Sequence, residues 1–337
     1  MRKKKAKTAN GGPTGEAIRF EGVDVYVRAV GAGPPVLLIN GLATHTAMLE
    51  PMEESLDGFR LLQFDLPGSG QSATPSTPML IRELARLSTV VMDHYGVKQA
   101  HVIGYSMGGL VAQQLAHDAP ERVQRMVLLA STAGRGSFRG SILATINMLA
   151  PARYLSPRIY AMTAGSLVGG RARHDTAWIA DQGVLRLKHS PTWRGYLWQL
   201  CSIVGWSGFP ILREVPHDVL VLAGDDDPII PVVNAVMLTH MLPNGRLLVM
   251  RGEGHLMMSD RDSRAHPAIR EFLSAADLDT TQIWQDACAV DADQLKIALA
   301  GAGAGVLLPW SLDARIRRRW LRKKTRPGTA HTLRAEA

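Results

Sequence analysis

Apolar residues change their spacing along the chain in a regular way. "VDVYVRAV" (23–30) alternates apolar and polar positions, the period-2 pattern of a half-buried strand. "PVLLIN" (35–40) and "RLLQFD" (60–65) are continuous apolar runs closing on a turn residue, as strands buried on both faces read. "LIRELARLSTVVMDHYG" (80–96) takes helical spacing and ends on a glycine suited to a C-cap. A strand over "AHVIGY" (100–105) and a helix over "MGGLVAQQLAHDAP" (107–120) follow. "RMVLLAS" (125–131), "DVLVLAG" (218–224) and "RLLVMRG" (246–252) read as strands, and "SRAHPAIREFLSAA" (263–276) as a helix despite its proline. Buried strands alternating with helices predict a parallel α/β sheet covered on both faces.

The interval 135–210 breaks this rhythm. It has no clean buried strand and is rich in Met148, Tyr154, Tyr160, Met162, Trp178, Trp193, Tyr196, Trp198 and Trp206. The spacing predicts a mostly helical insertion between two strands, lying as a cap over the carboxyl edge of the sheet, where such sheets bind ligands. Most of its aromatics are expected to be core. Composition shifts again after 276, and residues 277–337 are expected to form a helix pair or a loosely ordered extension. "GAGAG" (301–305) has no strand–helix pair around it and is not a phosphate loop. Residues 1–16 are expected to be a disordered basic tail.

Chemistry enters at "GYSMG" (104–108), a G-x-S-x-G motif between a predicted strand and a predicted helix. A turn that sharp requires small neighbours, hence Gly104 and Gly108, and it projects the Ser106 hydroxyl above the sheet edge. Serine needs a base to remove its proton, and the base needs a carboxylate to hold it. Asp225, Asp226 and Asp227 follow the strand "VLVLAG", and the spacing of Gly224 and Pro231 selects Asp227; the other two are expected to cap the following turn. His255 follows the strand "RLLVM" in the glycine-rich loop "RGEGHLMM", so serine, acid and histidine occur in the order that α/β-hydrolases use. Acyl chemistry also needs two N–H groups facing the developing oxyanion. Met107 and, in "NGLATH" (40–45), Leu42 are the candidates. Asn40, Gly41, Tyr105 and Trp198 are candidate substrate contacts, and "DLPGSGQS" (65–72) is expected to be a structural turn.

These pieces resemble the α/β-hydrolase superfamily over residues 17–276. The resemblance implies an α/β-hydrolase fold, a mostly parallel eight-stranded sheet with an inserted helical cap. "FDLPGSGQSATPSTP", "QQLAHDAPERV", "YLWQL", "LVLAGDDDPIIPVVN" and "NGL" look closer still to intracellular medium-chain-length poly(3-hydroxyalkanoate) depolymerases. That likeness implies hydrolysis of a stored hydrophobic polyester, with Ser106, Asp227 and His255 as a catalytic triad and no metal or organic cofactor. Tyr105 and Met107 flank the serine where that family carries Val and Trp. General esterase, lipase, C–C hydrolase, cofactor-free haloperoxidase and acyltransferase activities use the same triad. A hydrolase-like binding protein would need a broken one.

Charge refines the picture. The chain of 337 residues has a formal charge of +8, but five basic residues lie in "RKKKAK" (2–7) and eight in "RIRRRWLRKKTR" (315–326). Without those thirteen, 25 basic residues face 30 acidic ones, so the body is acidic. The basic ends favour an anionic storage-granule or membrane surface, with Trp320 and Leu321 inserting, over nucleic acid. No apolar signal core follows the basic start, and "IALAGAGAGVLLPW" (297–310) is shorter than the ~20 residues a membrane span requires. Cys201 and Cys288 form no disulfide framework or zinc pattern. A cytoplasmic protein is expected.

Overall fold

The computed structural model describes residues 15–149 and 156–305. Tyr154 and both basic runs, with Trp320 and Leu321, lie outside the described residues. The strands are β1 (Glu16–Phe20), β2 (Val23–Val30), β3 (Pro35–Ile39), β4 (Arg60–Phe64), β5 (Ala100–Tyr105), β6 (Val123–Leu129), β7 (Val219–Gly224) and β8 (Gly245–Met250). They form one eight-stranded sheet in the order β1-β2-β4-β3-β5-β6-β7-β8. β2 pairs antiparallel with β1 and β4; every other neighbouring pair is parallel.

The helices are α1 (Glu50–Ser55), α2 (Ile81–His94), α3 (Met107–Asp118), α4 (Ile142–Leu149), α5 (Pro157–Val168), α6 (Thr176–Lys188), α7 (Trp193–Val204), α8 (Val232–Met241), α9 (Ala265–Ser274), α10 (Gln282–Asp286) and α11 (Ala292–Gly305). Alternation along the strands sorts the core. Val36, Leu38, Ile103, Val127, Leu220 and Leu222 join one cluster with Met52 of α1 and Ile269 and Phe272 of α9. Their sequence neighbours Leu37, Ile39, Val102 and Val221 are equally buried and point to the opposite face. α2 and α3 pack against each other and against β3, β4, β5 and β6, and α8 lies on β7 and β8. Pro267 stands in the first turn of α9, where its missing N–H has no helical acceptor to lose.

The sequence between β6 and β7 contributes α4 to α7. It is pinched at its base: Gly134 and Ser207 form an isolated antiparallel bridge, and Arg135 N–H donates to Trp206 O at 2.8 Å. Tyr160, Tyr196 and Trp206 are buried, whereas Met162 and Trp193 are exposed.

Two boundaries differ from expectation. Glu16 opens β1 instead of ending a tail. At the other end the body continues past 276. Trp284 of α10 stacks on Phe272 at 5.5 Å under the Arg246 guanidinium, and Cys288 exchanges backbone hydrogen bonds with Leu247 of β8. The first compact unit therefore runs to Ala289, and the second begins at Val290. In that second unit Asp291 and Gln294 cap α11 reciprocally, and "GAGAG" is helical. Among the described residues no helix is long and apolar enough to cross a membrane.

Candidate active site

β5 ends at Tyr105 and α3 begins at Met107, which leaves Ser106 alone in the turn. Its φ of 52° and ψ of −117° are unfavourable for a residue with a Cβ. Packing enforces them. Ser106 N–H donates to Leu129 O at 2.9 Å, while Ser106 O accepts from Gly109 N–H at 3.0 Å and from the Ser131 hydroxyl at 2.9 Å. The backbone passes so close that a Cβ on Gly104 would sit 2.6 Å from Gly109 Cα, and one on Gly108 would sit 2.1 Å from Ile39 O.

The three residues selected from the motifs meet here. His255 Nε2 lies 3.0 Å from Ser106 Oγ, and His255 Nδ1 lies 2.7 Å from Asp227 Oδ2. His255 and Asp227 are both buried. The other carboxylate oxygen of Asp227 accepts from the Ile229 and Ile230 N–H groups at 2.8 and 3.0 Å. Three hydrogen bonds thus fix its orientation. With Nδ1–H donating to that carboxylate, Nε2 is free to accept the serine proton. The Tyr105 hydroxyl donates to His255 O at 2.9 Å, and burial raises its own pKa. Asp225 and Asp226 do not cap the following turn as expected. Asp225 accepts from Gly252 N–H at 2.6 Å, and Asp226 accepts from Gly170 N–H at 2.8 Å and pairs with Arg173. Their position beside a loop and an insertion, and not ahead of a helix, redirects them.

Gly41 and Leu42 border Ser106: a Cβ on Gly41 would lie 3.1 Å from Ser106 Cβ. Met107 is the first residue of α3, so its N–H has no acceptor within the helix. The turn carrying Leu42 is closed by the Thr44 hydroxyl donating to Gly41 O at 2.7 Å. It is also held from α7, where the buried Gln199 accepts from Ala43 N–H at 2.9 Å and donates to Pro67 O at 3.1 Å. Gln199 carries no motif signal, only its place in "YLWQL". Its neighbour Trp198 is not at the site. One residue on along a helix turns the side chain by about 100°, and Trp198 donates its indole N–H to Pro75 O in a separate depression. Asn40 likewise does not line the pocket; it is fully buried, with neither amide atom hydrogen-bonded among the described residues. In "DLPGSGQS" the buried Asp65 accepts from the Thr46 and Gln71 N–H groups, a structural arrangement.

A cleft of about 500 Å³, part of it open to solvent, lies above Ser106. Gly41, Leu42, Tyr105, Ser106 and His255 form its floor, and Met148, Tyr160, Leu167, Val168 and Arg186 of the inserted helices contribute to its wall. No group of three or more His, Cys, Asp or Glu side chains suited to a metal occurs among the described residues.

The family model for the alpha/beta hydrolase fold matches residues 34–262. The chain belongs to the α/β-hydrolase family. This α/β-hydrolase is 36% identical to the poly(3-hydroxyalkanoate) depolymerase of Ectopseudomonas oleovorans over 240 residues, which cover 71% of this chain and 84% of that one. It is 26% identical to a putative carbamate hydrolase, RutD, of Azorhizobium caulinodans, covering 66% and 85%. Among solved structures, a hydrolase from Pseudomonas aeruginosa PA01 superposes with a TM-score of 0.67 at 23% identity, covering 80% of this chain and all of that one. The fold is therefore shared well beyond the reach of sequence identity.

Proposed function

We propose that this α/β-hydrolase cleaves carboxylic esters, with Ser106 as nucleophile, His255 as general base and then general acid, and Asp227 as the group that orients His255 and stabilises its charged form. The observation that carries this reading is the unbroken hydrogen-bond chain Asp227–His255–Ser106 at the carboxyl edge of the sheet. His255 takes the Ser106 proton as Oγ attacks the ester carbonyl. The N–H groups of Met107 and Leu42 receive the oxyanion. His255 then protonates the departing alcohol, and a water molecule activated by the same imidazole releases the acid.

Two findings support a hydrophobic polyester of 3-hydroxy acids as the substrate: the likeness to a poly(3-hydroxyalkanoate) depolymerase and the apolar side chains in the pocket wall. A second reading, a general esterase of small molecules, is favoured by Tyr105 and Met107 beside Ser106. Purified protein assayed on amorphous medium-chain polyester beside p-nitrophenyl esters separates the two. Turnover of the polymer is expected; an inert polymer beside active p-nitrophenyl esters would favour the second. Ser106→Ala is expected to lower both activities by more than ~10⁴-fold with the fold intact. Near-normal turnover in that variant would remove the nucleophile assignment.

A further inference from the structure

Met148, Leu167 and Val168 make the wall that the inserted helices present to Ser106 largely hydrocarbon. Two side chains interrupt it. Tyr160 of α5 lines the pocket and is 1% exposed, yet its hydroxyl has no hydrogen-bond partner among the described residues. Arg186 of α6 lines the same pocket at 7% exposure, its guanidinium carbon 5.4 Å from the centroid of the Tyr160 ring. The charge of Arg186 is felt at Tyr105, next to Ser106, where it favours the phenolate against burial. A buried hydroxyl with no acceptor is destabilising until something supplies one. A guanidinium in a hydrocarbon wall forms its strongest hydrogen bonds to an oxyanion, and its planar fork matches a carboxylate.

We propose that Tyr160 and Arg186 form a carboxylate subsite that holds the free acid end of a 3-hydroxyalkanoate chain. The assignment rests on the ester-hydrolase reading and names the end of the substrate it takes. Ser106 Oγ bonds to the carbonyl carbon of the last ester linkage, and the bond from that carbon to the alkoxy oxygen breaks. The proton passes from Ser106 through His255 to the departing oxygen, so the leaving group is the terminal 3-hydroxy acid, its carboxylate on Arg186 and Tyr160. Water then bonds to the acyl carbon, the Oγ–carbon bond breaks and Ser106 regains its proton. The shortened chain again ends in a carboxylate, so each turnover recreates the recognised group.

The test begins with inhibition, which requires no polymer cleavage. 3-Hydroxyoctanoate and the neutral, hydrolysis-resistant 3-hydroxyoctanamide are compared as competitive inhibitors of p-nitrophenyl octanoate hydrolysis. The acid is expected to bind at least about ten-fold more tightly in the wild type, as one charge-assisted hydrogen bond supplies. In R186M that preference should vanish. R186K, which keeps the charge without the fork, should retain part of it and shows that the loss is not a folding failure. Y160F should reduce it roughly two- to five-fold. Equal inhibition by acid and amide in the wild type overturns the subsite, and so does an acid preference that survives R186M. A second arm measures kcat/KM on the ester-linked dimer of 3-hydroxyoctanoate against its methyl ester. If neither dimer is cleaved while the acid still inhibits selectively, the polyester reading falls and the carboxylate subsite stands.

Discussion

The turn that carries Ser106 and the helices that face it border one pocket but are held by different forces. Around the turn, Leu37, Ile39, Val102 and Ile103 are fully buried, backbone hydrogen bonds close on Ser106 from three directions, and glycine contacts leave no space for a methyl group. The inserted segment is looser in construction. Ile142, Met162, Trp193 and Val204 are each more than 70% exposed, and its ties to the body include polar contacts such as Arg173 to Asp226 and Gln199 to the loop after β3. Dense packing fixes a reacting group to a fraction of an ångström, which proton transfer requires. A segment whose apolar surface is partly exposed can change its lining without disturbing the turn. On the proposed reading, reaction chemistry sits on the stiff region, and substrate choice falls to the adaptable one.

The largest break in that contrast should come from a substitution that alters chemistry and nothing else. Asp227→Asn keeps the oxygen that accepts from the Ile229 and Ile230 N–H groups but removes the charge facing His255. kcat on a p-nitrophenyl ester should fall by ~10³–10⁴-fold, because the imidazole is held in the wrong tautomer. Thermal unfolding should move by only a few degrees. A fall of less than ten-fold would detach Asp227 from the reaction.

Acid should test the stiff region next. Burial lowers the pKa of His101 on β5, and of His45 beside Leu185 of α6, from 6.5 to about 4; His266 moves in the same direction. The unfolded chain takes up these protons near pH 6.5 and the native state does not. Stability from each group is therefore complete above pH 6.5 and is lost as pH falls toward 4. Each of the first two contributes up to about 3 kcal/mol. Denaturant unfolding at pH 7 and pH 4 should show a decline that is shallower in His101→Leu. An unchanged pH dependence would mean that His101 already titrates normally.

Much of this arrangement was legible in the chain because parallel strands buried on both faces leave unbroken apolar runs. β1 was not: "EAIRF" is an edge strand, exposed at its first two positions, with no clean period. α10 was hidden because its burial comes from Trp284 meeting Phe272, a contact no local pattern encodes. Ser106 and His255, which the fold brings together with Asp227, stand out in the chain because the proposed chemistry demands small neighbours and fixed order, and Asp227 through its spacing from Gly224 and Pro231. The inserted wall follows no such grammar. Trp198 drew attention by size, yet the side chain that reaches the loop is Gln199, and orientation around a helix axis depends on packing that sequence alone does not record.

Gln199 is where the two regions meet. Its amide satisfies Ala43 N–H, next to the pocket-lining Leu42, and Pro67 O. Gln199→Ala leaves those groups without their partner, at a cost of about 1–3 kcal/mol. It also loosens the turn that presents Leu42, so kcat should fall roughly ten-fold, a fraction of what losing an oxyanion donor outright would cost. A stability loss with unchanged kcat would separate the tie from the oxyanion loop.

The smallest effect should come from the outer tie. Arg173 and Asp226 are 30% and 21% exposed, so water screens the pair and competes for it. Arg173→Ala should cost no more than about 1 kcal/mol, less in high salt. Asp226 keeps its hydrogen bond from Gly170 N–H, so the segment stays anchored there. The hydrolysis of short p-nitrophenyl esters should change less than that of long-chain esters, because only the latter fill the wall that Met148, Leu167 and Val168 provide. If Arg173→Ala instead slowed short and long esters equally and severely, the inserted helices would have to be counted as part of the rigid frame, and the division between the two regions would fail.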